Sequence, residues 1–358
     1  EAVGSTRFLE QLVDATPTAG HSEYYIDIVR QKHLLRCTIT CARKVEQSCY
    51  AEEQSADQIL SEAEQSFLDI TESQHGEARP WPAAVKSTFE RVDRILSMGP
   101  GGVVGVATGL RDLDKVLRGL RPGEMSVLAA RPSMGKTSLA MNICECVALG
   151  EDVNGLPLKG EPAGPKPVAV FSLEMSQEAL AMRMLCAKAG IPAFQLEGGF
   201  VSKQETNRKF TTAASKLIKI PLYVDDTGGL DVAEVRARAR RLRKKYNIEL
   251  IMIDYLQLLH CREYARQGRQ LETAAISSQL KSMAKELKIP VMVLSQLSRA
   301  PDQRVGDKSG KPRLSDLRDS GAIEQDADVV LLLRRPCKYP GDKESDDQSL
   351  AIVDVAKH

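Results

Sequence analysis

Ala130-Arg131-Pro132-Ser133-Met134-Gly135-Lys136-Thr137 follows an apolar run at 125–130 and opens a helical pattern at 136–149. Strand, tight loop and helix in that order are the setting a phosphate-binding loop needs. Backbone N–H groups of the loop and of the helix start can converge on one anion, and the helix dipole favours negative charge there. Gly135 permits close backbone approach. Lys136 is the residue to meet β- and γ-phosphates, and the Thr137 hydroxyl is the one to coordinate Mg²⁺. Arg131, Pro132, Ser133, Met134 and Ser138 complete the candidate nucleotide-contacting set. The loop begins with Ala130 where the general pattern has glycine, and alanine disfavours a positive φ. A chance Gly-Lys-Thr in a strand–helix turn is the bland alternative, to be weighed against the rest of the chain.

From about residue 108 onward, short apolar runs alternate with helical patterns. The runs at 125–130, 168–172, 222–224, 250–253, 291–294, 329–333 and 351–355 mostly lack polar alternation, as expected of strands covered on both faces. Helical patterns lie between them at 136–149, 177–189, 203–217, 231–246 and 271–287. This order predicts an α/β domain with a mostly parallel sheet. Ligands in such sheets bind beyond the carboxyl ends of the strands, so the residues at those ends are candidates. The run ending at Ser172 continues to Leu173 and Glu174. A carboxylate there can orient or deprotonate an attacking water, or simply be a helix N-terminal acid favoured by the dipole. Leu250-Ile251-Met252-Ile253 ends in Asp254, a carboxylate to hold Mg²⁺ directly or through water. Val291-Met292-Val293-Leu294 ends in Ser295 and Gln296, whose amide can contact a γ-phosphate or merely bond to backbone.

The chain has 358 residues and a net charge of +1. That length suggests more than one domain, and the balance denies a whole-chain basic signature, so any nucleic-acid charge must be local. Eight cysteines include Cys37 and Cys41, and Cys144 and Cys146, with no second Cys or His pair at metal-site spacing. They read as thiols of a reducing cytosol, not as a zinc site or a disulfide framework. No apolar run approaches a membrane span and no signal peptide is visible. The chain opens on Glu1 and closes on His358 within a strand-like run, so truncation at both ends is expected. Residues 1–74 read as a small all-α domain: Phe8, Leu9, Leu12 and Val13, then Tyr25, Ile28 and Val29, then Ile59, Leu60, Ala63 and Phe67 recur at helical spacing. Residues 75–107 read as a linker with one amphipathic helix, its Val85, Phe89, Val92 and Leu96 on one face between breakers. That face has nothing local to bury against and is expected to dock on another domain or subunit.

Four stretches together carry a resemblance: Ala130 to Thr137; Phe171-Ser172-Leu173-Glu174-Met175-Ser176; Leu294-Ser295-Gln296-Leu297-Ser298-Arg299; and Ser315-Asp316-Leu317-Arg318-Asp319-Ser320-Gly321-Ala322-Ile323-Glu324-Gln325-Asp326-Ala327-Asp328. The chain resembles the DnaB family of bacterial replicative DNA helicases, over nearly its whole length. That family's loop also begins with Ala. The resemblance implies a RecA-like P-loop ATPase domain at 108–358, behind the helical domain and linker helix. It implies a homohexameric ring on single-stranded DNA, moving 5′ to 3′ with ATP and Mg²⁺, with a primase and a helicase loader as partners and no membrane. The setting implied is the bacterial cytoplasm and nucleoid, with plasmid, phage or plastid origin open. It implies Glu174 as catalytic base, and Arg183 stacked on the base of the nucleotide where the residue alone reads equally as a solvated helix Arg. Lys357 matches the Lys of a cationic finger that reaches a neighbouring subunit's γ-phosphate; the accompanying Arg would fall past His358.

Residues 299–319 form a polar segment with Arg299, Arg304, Lys308, Lys311, Arg313 and Arg318 against Asp302, Asp307, Asp316 and Asp319. This excess is too mild to be a basic patch, and charge alone favours a solvated loop. The resemblance places the loop inside the ring, with Arg299, Arg304, Arg318, Asp319 and Gly321 as candidate DNA contacts. The family usually has Glu at the position of Asp319. Base-stacking aromatics are missing here, so backbone tracking is expected. The stretch 231–246 carries Arg236, Arg238, Arg240, Arg241 and Arg243 but reads as a solvated or subunit-facing surface. A RecA-like recombinase and a non-enzymatic nucleotide-gated scaffold are the alternatives. The segment 315–328 disfavours the first, and Lys136, Thr137, Glu174 and Asp254 together disfavour the second.

Overall fold

A computed structural model of the chain describes residues 22–51, 56, 59–60, 62–63, 66–67, 81–97, 102–158, 164–197, 203–299, 311–339 and 347–358. Arg304 and the helical pattern expected around Phe8 to Val13 lie outside the described residues. The chain divides into two compact units, Glu1–Ser87 and Thr88–His358. In the first, helix α1 (Ser22–Ala51) is 30 residues long, and Cys41 and Ile59 are buried. Helix α2 (Trp81–Ser97) spans the boundary between the two units. Its Trp81, Val85, Phe89, Val92 and Leu96 are all exposed, the last four being the apolar stripe legible in the sequence.

The second unit runs α3 (Arg111–Leu117), β1 (Met125–Ala130), α4 (Lys136–Leu149), β2 (Val168–Ser172), α5 (Gln177–Ala189), α6 (Ala193–Glu197), α7 (Lys203–Leu217), β3 (Leu222–Asp225), α8 (Val232–Tyr246), β4 (Leu250–Asp254), α9 (Arg269–Leu287), β5 (Val291–Gln296), α10 (Gly321–Asp326), β6 (Val329–Arg334) and β7 (Ile352–Lys357). The strands form one sheet in the order β3-β2-β4-β5-β1-β6-β7. Every neighbouring pair is parallel except β6 with β7. Strands β1, β2, β4 and β6 are buried along their whole length, because helices cover both faces. Side chains alternate between the faces. Val127, Ala129, Phe171 and Ile253 pack with Val235, Ile276 and Leu280 of α8 and α9. Leu128, Ala130, Val170 and Met252 pack with Ile143, Val147 and Leu180 of α4 and α5.

Two acids of the stretch 315–328 serve the fold. The Asp328 carboxylate accepts the Met125 N–H at 2.7 Å and pairs with Lys281, which fixes where β1 begins. Asp326 accepts the Ser277 hydroxyl at 2.6 Å, tying α10 to α9.

Three arginines of helix α8 are used within the fold, while Arg241, Lys244 and Lys245 are exposed. Arg238 pairs with Asp225 at 2.8 Å, and Arg236 and Arg240 both reach Glu286 on α9. Burial works to raise the Glu286 carboxyl, but hydrogen bonds from Arg240 and Arg236 outweigh it and hold the group below its ordinary value of 4.5. A depressed folded value stabilises the fold above the unfolded value, and that contribution is lost as pH falls through the folded one. Replacing Glu286 by Gln is therefore expected to lower stability at neutral pH and to flatten its loss below about pH 4.5. Urea midpoints measured from pH 7 to 3 on both proteins check this.

Candidate functional site

The loop between β1 and α4 turns on two residues. Ser133 and Gly135 have φ of 65° and 94°, and Gly135 caps α4. Ala130 is the last residue of β1 and is buried, so the alanine at the head of the loop carries no left-handed strain. A Cβ on Gly135 would meet nothing within 4 Å; the backbone conformation, not space, asks for glycine there.

Beneath the loop lies the end of β4. The Thr137 hydroxyl donates to Asp254 Oδ2 at 2.6 Å. Lys136 Nζ stands 3.8 Å from Asp254 Oδ1 and 4.3 Å from the centre of the Tyr255 ring. Burial pulls the Lys136 ammonium below its ordinary value, against the pull of Asp254 and Glu174. Asp254 is 1% exposed, and its Oδ1 has no hydrogen-bond partner. A buried carboxylate oxygen is expected to be satisfied. An orphan oxygen beside the Thr137 hydroxyl fits a hard divalent cation that takes its other ligands from phosphate and water, as Mg²⁺ does. Among the described residues there is no cluster of three or more His, Cys, Asp or Glu that would hold a metal by itself.

These groups open into a cleft of about 530 Å³. It brings together Arg131, Pro132, Ser133, Gly135, Lys136, Thr137, Ser138, Glu174, Arg183 and Gln296, all expected from the sequence. Met134 packs into the apolar layer behind the loop. The start of α5, just past Glu174, is served by others: Ser176 accepts the Ala179 N–H and Asp226 accepts the Gln177 N–H at 2.9 Å. Glu174 is thus not needed as the acid of that helix terminus, and it is exposed in the cleft. Lys357 does not line this cleft; its ammonium donates to the carbonyls of Glu324 at 2.7 Å and Gln325 at 3.3 Å at the end of α10.

Two lining residues were not singled out from the sequence. Tyr255 directly follows Asp254, and Arg335 directly follows β6. Position at a strand's carboxyl end was the available signal for both. Arg335 donates from Nη2 to the Gln348 carbonyl at 2.9 Å.

The DNA candidates lie beyond β5. Arg299 is exposed. Arg318 and Asp319 belong to the 3₁₀ segment Leu314–Ser320, and Gly321 opens α10. Asp316 is buried and accepts the Arg313 N–H at 2.7 Å, while its carbonyl accepts the Ser298 N–H at 3.0 Å. The Asp316 carbonyl thus ties the segment to the end of β5, while the carboxylate holds the start of the segment. Among the described residues no helix is long and apolar enough to cross a membrane.

Residues 105–358 match the family described as DnaB-like helicase C terminal domain. The chain is 37% identical to the replicative DNA helicase DnaC of Bacillus subtilis (strain 168) over 358 residues, covering 100% of this chain and 74% of that protein. It is also 37% identical to the replicative DNA helicase DnaB of Geobacillus stearothermophilus, with the same coverage. A solved structure described as a DnaB-like replicative helicase and its interactions with primase superposes with a TM-score of 0.73 at 28% identity, covering 98% of this chain and 77% of that one. With the family match over residues 105–358 and the identity running over the whole chain, the chain belongs to the DnaB-like helicase family.

Proposed function

We propose that the protein is a replicative DNA helicase that uses ATP hydrolysis to move 5′ to 3′ along single-stranded DNA and part the duplex at a fork. The observation that carries this reading is the meeting of Lys136, Thr137 and Asp254 under a cleft that Glu174 and Gln296 enter from neighbouring strand ends. In this reading the loop N–H groups and Lys136 hold the β- and γ-phosphates of ATP. Thr137 and Asp254 hold Mg²⁺, which when bound neutralises phosphate charge. Glu174 orients a water and takes its proton. Arg183 lies against the nucleotide base. Gln296 meets the γ-phosphate and reports its loss.

The working form is a homohexamer with the nucleotide between subunits, and Lys357 acts on the neighbour's site. The exposed stripe of α2 is left for another subunit. Arg299, Arg304, Arg318, Asp319 and Gly321 follow the DNA backbone inside the ring. A primase and a helicase loader are its partners, and the bacterial cytoplasm is its setting.

The reading is tested by ATP turnover of the full-length protein with and without single-stranded DNA, and by unwinding of forks carrying only a 5′ or only a 3′ tail. Strong stimulation with preference for the 5′ tail is expected. Nucleotide binding without stimulated turnover, in verified oligomers, would favour a scaffold instead. Replacing Arg318 by Ala is expected to weaken single-strand binding at every sequence alike, and to make the slope of log affinity against log salt shallower by about 0.7. Titrations at several salt concentrations measure that slope.

A further inference from the structure

Strand β4 ends at Asp254, but its neighbour β5 runs on to Gln296. The ladder between them stops at Ile253 opposite Val293. On the other side of β5, Leu297 N–H donates to the Ala130 carbonyl of β1 at 3.1 Å. Backbone groups alternate in direction along a strand, so the N–H and C=O of Gln296 turn toward the side where β4 has already ended. Such groups need partners.

The side chain of Gln257 supplies both. It sits on the 3₁₀ turn Leu256–Leu258 that follows β4. Its Oε1 accepts the Gln296 N–H at 3.2 Å, and its Nε2 donates to the Gln296 carbonyl at 3.3 Å and to the Ser295 hydroxyl oxygen at 2.9 Å. A primary amide offers donor and acceptor together, as a peptide group does, so it substitutes for the missing strand. The clamp is itself held. The Gln257 carbonyl accepts from Arg269 Nη2 at 2.6 Å, and Arg269 pairs through Nη1 with the buried Glu272 of α9 at 2.6 Å.

On the far side of Gln296 the chain is gripped twice more. The Leu297 carbonyl accepts Arg131 Nη1 from the phosphate loop at 3.0 Å, and Ser298 N–H donates to the Asp316 carbonyl at 3.0 Å. Gln296 therefore stands between a fixed clamp, the phosphate loop and the segment that bears Arg318.

We infer that Gln257 is the positioning residue of this strand end: it fixes the backbone of Gln296, so that the Gln296 side chain meets the γ-phosphate and a change there is passed toward Leu314–Ser320. The inference rests on Gln296 being the γ-phosphate contact. Its test uses the full-length protein as Gln257→Met, which keeps side-chain length and removes all three side-chain bonds, beside Gln296→Ala and the double variant. Turnover number and KM for ATP are measured with and without single-stranded DNA. Gln257→Met is expected to lower the DNA-stimulated turnover number by about tenfold or more with KM changed less than about twofold. The double variant is expected to match Gln296→Ala alone, since a residue that acts through another adds nothing once that other is gone. Normal stimulated turnover in Gln296→Ala would remove the sensor reading and this inference with it. An impaired Gln296→Ala beside a normal Gln257→Met, or losses that multiply in the double variant, would overturn the role of Gln257 alone. Should Gln257→Met fail to assemble, Gln257→Glu keeps an acceptor for the Gln296 N–H and loses the donor. It is read by the same comparison.

Discussion

DNA-stimulated ATP turnover is expected to fall by about 10²–10⁴-fold in Glu174→Gln, the loss that removing a general base produces, while nucleotide binding stays near that of the unaltered protein. Glutamine keeps the shape of glutamate and loses the ability to take a proton. The magnitude separates the two roles a carboxylate can have at this position. An acid that only favours a helix N-terminus is worth about 0.3–1 kcal/mol, and α5 already has Ser176 and Asp226 on its first N–H groups. A drop smaller than tenfold, in protein shown to bind nucleotide and to oligomerise, would take Glu174 out of the chemistry. Turnover at saturating ATP with and without single-stranded DNA is the measurement, paired with binding of a fluorescent ATP analogue.

Lys136→Ala is expected to act earlier in the cycle. The side chain is 14% exposed, and its ammonium has Asp254 and the Tyr255 ring as neighbours. Burial has already stripped much of its water, which is why it sits below the ordinary lysine range. A desolvated cation interacts with incoming phosphate more strongly than a hydrated one. Its removal also leaves Asp254, buried and with Oδ1 unsatisfied, to face the phosphates alone. ATP affinity is expected to fall by about 10²-fold or more, with turnover at background. Equilibrium binding of a fluorescent nucleotide reads the first effect and phosphate release the second. Unchanged affinity would place the phosphates elsewhere in the cleft. The two variants thus divide the site: Glu174→Gln binds nucleotide normally but turns over slowly, whereas Lys136→Ala is already impaired in binding.

Local sequence rules reached most of the sheet because its strands are short apolar runs bounded by breakers. Those at 125–130 and 168–172 were legible to the residue, and α4, α5 and α7 as well. Most ends that drifted are those where the strand carries on into polar residues: β3 includes Asp225, β4 Asp254, β5 Ser295 and Gln296, and β6 Arg334, while β7 is shifted to Ile352–Lys357 from the 351–355 expected. There the hydrogen-bond ladder or a side-chain substitute, not hydrophobicity, extends the strand. Helix α8 shows the opposite case. Its arginines cannot be told from a nucleic-acid surface in one dimension, and only the positions of Asp225 and Glu286 across the fold show how they are used. The acids of 315–328 are similar: they look like one functional motif, yet the carboxylates of Asp326 and Asp328 hold donors from other parts of the fold, and that of Asp316 holds the Arg313 N–H at the start of its own segment.

What the sequence determined by itself is the chemistry on offer: a phosphate loop between strand and helix, and a carboxylate, an aspartate and an amide at the ends of three further apolar runs. Periodicity and loop chemistry are local, so they can be read locally. What only the tertiary structure decided is which of those ends meet. Placing β4 between β2 and β5, and β5 beside β1, brings Asp254 to 2.6 Å from Thr137 across 117 residues. The same placement leaves Gln296 paired with Ala130 of β1 but without a strand partner on the β4 side, where Gln257 stands in for it. Strand order is set by how all the helices cover both faces at once, a sum over the whole domain that no stretch of the chain carries alone.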